Sequence, residues 1–284
     1  MSAEYGHRKP IFENAWWAVL RMKLISMLRI MCLFLCLAPF GVQAKTIQLY
    51  SYHIDPPFQL KNQTTDLSRS LVEKLNQWQQ DRVFELLVLS RTEINKIISS
   101  GKPYLLLWAN PLWFRSKDPN VQASKNIFWD ADIWVSNRTH PVDYALPKDL
   151  IGKHIGARKG YYYKGITPLI KEGKIKASLV SNDAKNYQQL VSKKVEAFVM
   201  SRSSYLYWKA SEIDVTGFNT SLSPHDAYKR HILVSQHYET LLPMLNQFIE
   251  QLKNNADWNS RLKKWGVQSL VEPIELDLDE LMDY

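Results

Sequence analysis

Cysteine is nearly missing from this chain. Its 284 residues hold two, Cys32 and Cys36, and none follows Ala44. Beyond residue 44 this excludes disulfide bonds, a zinc–thiolate centre and a cysteine nucleophile. The histidines that remain, His53, His140, His154, His225, His231 and His237, show no H-E-x-x-H or comparable ligand spacing, so no metal site is expected. Ser201-Arg202-Ser203 lacks the G-x-S-x-G setting of a nucleophile elbow. Asp55, Asp130 and Asp132 are too isolated in the sequence to form an acid/base pair. No catalytic residue and no cofactor is therefore expected. Internal repeats and low-complexity tracts are also absent.

One long apolar run is present, and it is N-terminal. Residues 24–40, LISMLRIMCLFLCLAPF, follow Arg21 and Lys23 and lead into Val42-Gln43-Ala44. A basic flank, a short apolar segment and an A-x-A-like exit are the parts of a secretory signal. Residues 1–44 are read as that signal, cleaved after Ala44, with Met22 as an alternative start. The uncharged stretch 30–44 is shorter than the roughly 20 residues a bilayer core needs. Cys36 follows Leu33-Phe34-Leu35, without the small residue of a lipoprotein site. The expected location is the periplasm.

Five of the 36 Lys/Arg and two of the 28 Asp/Glu lie in residues 1–44, leaving 31 basic and 26 acidic residues and a net charge of +5. The basic residues are scattered, apart from 171–176 and the pair Lys193-Lys194. A phosphate-binding surface needs a coherent patch, so no nucleic acid partner is expected. Residues 272–284 carry six acids and no base, a solvated end or a short docked element.

Strand-like runs alternate with helix-like ones. Residues 46–52, 84–89, 104–108, 133–136, 151–157, 176–180, 195–200 and 231–235 read as strands. Leu67, Leu71, Leu75 and Trp78 form one helical stripe. Further helices are expected at 92–100, 161–172, 186–192, 203–210, 238–254 and 257–265. Such βαβ alternation predicts an α/β fold of parallel or mixed sheets covered by helices.

The order of these segments resembles the type 3 periplasmic solute-binding proteins that serve polar amino acid uptake. LYSYHIDPPF, LPKDLIGKHIGARKGYYYKG, NYQQLVSKKVEAFVMSRSSYLYW and HILVSQHYETLLPMLNQFIEQLKNNADWNSRLKKWG carry the resemblance, across residues 46–266. It implies two lobes, 45–136 with 229–284 and 137–228, joined by crossings near 134–138 and 223–231, with a small-molecule ligand trapped between them. The expected protein is a monomeric binder serving an inner-membrane permease. A sensor reporting to a membrane partner and, further off, an enzyme on the same fold are the alternatives.

Ligands of open α/β sheets sit beyond the carboxyl ends of strands, here at Tyr52, Trp108, Asn110, Arg158 and Ser201. Tyr52, Phe58, Trp108 and Trp113 are candidate walls. Gly160-Tyr161-Tyr162 is expected to open a helix whose free N–H groups hold an anion, with Arg158 adding a charged fork. The resemblance implies that Arg115 grips a ligand carboxylate. It also implies an aspartate just past VEAFVM, where this chain has Ser201 and then Arg202. A serine supplies no charge to offset the desolvation of an ammonium group. The expected ligand is thus neutral, anionic or aromatic rather than an ordinary α-amino acid.

Overall fold

The computed structural model describes residues 20–24, 45–211 and 213–274. The expected signal segment, residues 20–24 apart, and residues 275–284 of the acidic tail lie outside the described residues. No helix among the described residues is long and apolar enough to cross a membrane.

Ten strands form one continuous mixed sheet: β1 (Lys45–Ser51), β2 (Arg82–Val88), β3 (Leu105–Ala109), β4 (Gln122–Ala123), β5 (Phe128–Asn137), β6 (His154–Arg158), β7 (Lys176–Val180), β8 (Ala197–Ser201), β9 (Phe218–Thr220) and β10 (Asp226–Val234). The main path runs β2-β1-β3-β10-β5-β8-β6-β7. β1 pairs in parallel with β2 and β3, and β6 with β7 and β8. These are the βαβ units read from the sequence.

Four buried clusters pack on the sheet among the described residues, and two of them mark its two lobes. Ile47, Leu49, Leu105 and Leu107 are buried with the Leu67, Leu71 and Leu75 stripe in one, and Ile155, Ala157, Ala197 and Val199 are buried with Leu150 and Ile166 in another. The stripe is helical because Asp66 caps it, accepting from the Arg69 amide at 2.8 Å.

β5 and β10 carry the chain between the lobes. They pair antiparallel over Phe128↔Arg230 to Asp132↔Asp226. β10 continues onto β3 of the first lobe, and β5 onto β8 of the second. Residues 132–136 pair with β8.

One expected helix is shorter than its sequence pattern. The segment 161–172 becomes helical only at Ile166. Gly160 and Gly165 both take positive φ, +85° and +73°, breaking the chain twice. Between them Tyr163 turns into the second core, its amide donating to Thr167 Oγ1 at 2.9 Å. Gly160-Tyr161-Tyr162 is therefore a loop and offers no helix N-terminus.

Candidate functional site

The carboxyl ends of β1, β3, β6 and β8 and the two crossing strands surround a cavity of about 760 Å³. Three arginines reach this region from different elements, and each is held differently.

Arg230, on β10, is buried. Its Nε donates to Asp130 Oδ2 at 2.6 Å, Nη1 to the Trp108 carbonyl at 2.8 Å and Nη2 to the Tyr228 hydroxyl at 3.2 Å. Trp108 has a left-handed φ of +61°, an uncommon conformation for a bulky residue at a strand end. His53 Nε2 lies 3.3 Å from Arg230 Nη1. Burial first, and then Arg230, Arg158 and Arg91, hold the His53 imidazole well below its ordinary pKa, so it is neutral. Asp130 also accepts from Ser203, amide at 3.0 Å and hydroxyl at 2.7 Å. It thereby sits at the N-terminus of the helix Arg202–Ala210, where a negative charge is favoured.

Arg158, at the end of β6, pairs with Asp55 and, at 3.2 Å, with Asp183. Asp55 also accepts from the Asp183 amide at 2.9 Å. Arg91 opens the helix Arg91–Ser99, which starts with a Ser90/Glu93 capping box. Its guanidinium lies 4.2 Å from the Phe114 ring centroid, 4.8 Å from Tyr52 and 5.6 Å from Tyr161. Among the described residues no carboxylate pairs with Arg91.

Asp132 is the opposite case. Its Oδ1 accepts from the Tyr228 hydroxyl at 2.8 Å, and no cation pairs with it among the described residues. Burial, reinforced by Asp130 and Asp226 and opposed by Tyr228 and Arg230, pushes its carboxyl up to about 7. β5 sets it directly across from Asp226 on one side and Ser201 on the other. His225 lines the same cavity, its Nδ1 2.6 Å from the Tyr144 hydroxyl, and burial lowers its pKa to about 4.

Of the residues singled out in the sequence, Phe58, Asn110, Trp113, Arg158, Gly160, Tyr161, Tyr162 and Ser201 line the cavity. Tyr52 and Trp108 are buried behind it, packed on Phe114 and Phe128 respectively. Arg115 is exposed and does not line the cavity. Arg202 points elsewhere, donating to Ser269 at 3.3 Å. Arg158 lines the cavity with its charge already spent on two carboxylates. Arg91 and Asp132 were not identified as ligand contacts. The capping box after a strand signals the first. The second is signalled by alternation in FWDADIW, where Asp130 and Asp132 share one face of a strand.

No protein-family model and no curated protein matches the sequence. Solved structures do. An ancestral arginine-binding protein bound to arginine has a TM-score of 0.61 at 18% identity, covering 78% of this chain and 97% of its own. The GluR0 ligand-binding core from Nostoc punctiforme in complex with L-glutamate gives 0.63 at 20%, covering 78% and 99%. The ancestral amino acid-binding protein AncCDT-1, a precursor of cyclohexadienyl dehydratase, gives 0.59 at 17%, covering 78% and 95%. With strands crossing twice between two cores around a cavity, this chain has the two-lobed α/β fold of these amino-acid-binding proteins.

Proposed function

We propose that the chain is an exported binding protein that holds a small, amine-bearing solute between its lobes and presents it to an inner-membrane permease. The observation that carries this reading is the Asp132 carboxylate: it faces the cavity, takes one neutral hydrogen bond and forms no ion pair among the described residues. A half-buried acid of this kind is costly until a positive charge arrives. Ser201 supplies no charge, but its strand partner Asp132 does, so an ammonium group has a carboxylate one strand away from the expected place. This proposal departs from the expectation of a neutral, anionic or aromatic ligand. Arg91, bedded on aromatic rings, provides a cation for an acid group on the same ligand. Trp113, Tyr161 and Tyr228 supply aromatic surface. Arginine and glutamate, held by proteins of the same fold, carry both an ammonium and a carboxylate, which supports the reading.

Calorimetry against a panel of amino acids and simple amines tests it. The ligand's ammonium favours ionised Asp132, whose pKa without ligand lies near 7. Affinity should level off near pH 8, while the ligand's ammonium still holds its proton, and fall by up to about tenfold per pH unit below 7. Binding at pH 6.5 should release a proton, seen as a buffer-dependent enthalpy. Flat affinity between pH 5.5 and 8.5 would remove Asp132 from the site.

Arg91→Lys separates the two ends of the ligand. It keeps the charge but loses the planar fork and the ring stacking. An amino acid should bind about ten- to a hundredfold more weakly, as expected for one or two lost charge-assisted hydrogen bonds. The matching amine without its carboxylate should bind as before; equal losses for both would place the ligand acid elsewhere.

A further inference from the structure

In the Asp55–Arg158–Asp183 cluster one arginine lies between two aspartates. Asp55 belongs to the first lobe, following β1, and Arg158 and Asp183 to the second. The side chains of all three are almost buried, at 11%, 11% and 4% exposure for Asp55, Arg158 and Asp183. All three line the cavity rather than the interior of either lobe. One guanidinium therefore bridges two carboxylates from opposite lobes, across 103 residues of sequence for Asp55 and 25 for Asp183. The Asp183 amide, at the start of the helix Asp183–Val191, donates to Asp55 Oδ1 at 2.9 Å and completes the link. Above it, Tyr161 spans the lobes as well, its ring 6.0 Å from Tyr52 and 5.4 Å from the Arg158 guanidinium.

We infer that Arg158 is a tethered occupant of an interlobe guanidinium subsite: its side chain fills a place that a ligand's cationic group would otherwise take, closes the cleft without ligand and bars cationic side chains from that end. Burial and then Asp55 push the Asp183 carboxyl up to about 8, and the two acids are held together across the closed cleft by a charge the protein supplies itself. The burial is also consistent with a fixed occupant, because a desolvated carboxylate pair is tolerated only with its counter-ion in place. The cluster thereby determines specificity. With Asp55 and Asp183 committed, Asp132 is the carboxylate left to receive an amine. This consequence for specificity rests on the proposed ligand cleft, whereas the occupancy of the subsite does not.

Chemical rescue of Arg158→Ala tests the inference. Truncation removes the guanidinium and leaves room for a free one. Methylguanidinium at low millimolar concentration should raise the melting temperature of Arg158→Ala by several degrees and leave the unaltered protein unmoved. It should bind the variant at least on the order of tenfold more tightly, and the added substitution Asp55→Asn should abolish the response. In solution scattering the unaltered protein without ligand should be compact, Arg158→Ala more open, and Arg158→Ala with methylguanidinium compact again. Should Arg158→Ala be recovered unfolded, refolding should succeed only with methylguanidinium present. Arg158→Met, which retains bulk without charge, should remain open. The inference is overturned if methylguanidinium acts equally on both proteins or on neither. It is also overturned if Arg158→Met is as compact and stable as the unaltered protein. A blank amine panel together with successful rescue would reject the proposed ligand while leaving the subsite standing.

Discussion

Asp132→Asn should abolish amine binding and at the same time stabilise the unliganded protein at pH 8. The isosteric amide can still accept from Tyr228 but has no charge for an ammonium, and a loss of at least about a hundredfold in affinity is expected. The stability gain follows from the raised pKa. At about pH 3 the carboxyl is protonated in the folded and unfolded states alike, and the substitution is nearly neutral. As pH rises from 3.8 through about 7, the unfolded chain ionises freely while the folded protein holds the proton or bears a buried charge. The unaltered protein thus loses stability relative to Asp132→Asn across this window, up to a bound on the order of 4 kcal/mol. Thermal scans at pH 3, 5 and 8 read the effect directly. A melting difference that does not grow with pH, or an amine that still binds, would sink the assignment. Gaining stability while losing binding is the expected behaviour of a group kept for function.

Arg230→Met should be among the most damaging single substitutions in the chain. It leaves Asp130 buried without its 2.6 Å partner and takes a donor from the Trp108 carbonyl. Removing one member of a buried pair costs about 3–5 kcal/mol, a drop on the order of 10 °C for a domain of this size. Asp130 retains two bonds from Ser203, so its charge stays buried rather than turning to water. Adding Asp130→Asn should recover part of the loss, because the amide leaves no unpaired charge. Denaturant titration of the two single variants and the double variant measures the coupling. Additive losses would show that the pair is energetically independent and that Arg230 acts through packing alone, for instance on Phe58, whose ring centroid lies 4.7 Å away.

Much of the site's frame was legible in the sequence, and for a local reason. The Leu67–Leu71–Leu75 stripe and the apolar run 104–108 mark their own periods. Strand ends then place Asn110, Arg158 and Ser201 at one edge of the sheet. Helix starts were less legible wherever glycine interrupted the pattern, as at 160–165, because positive φ is a backbone choice that hydrophobic spacing does not encode. In the sequence the two aspartates of FWDADIW are isolated acids. Their role depends on which strands lie beside β5, and that is a matter of pairing across the chain.

By itself, the sequence determined the cysteine-free character of everything after Ala44, the alternation of strands and helices and, to within a residue, the carboxyl ends of β1, β3, β6 and β8, but not the short strands β4 and β9. These follow from composition and from periods of two and 3.6 residues, which neighbouring residues carry. Only the tertiary structure decided how the charges are shared. Antiparallel register sets Asp132 beside Ser201 and leaves it without an ion pair among the described residues, whereas Asp55 of one lobe meets Arg158 of the other and commits that arginine. Arg91, by contrast, stays without a carboxylate among the described residues because its neighbours are aromatic rings. Coulomb interactions and desolvation depend on distance and burial in space, and the separation between two residues along the chain fixes neither.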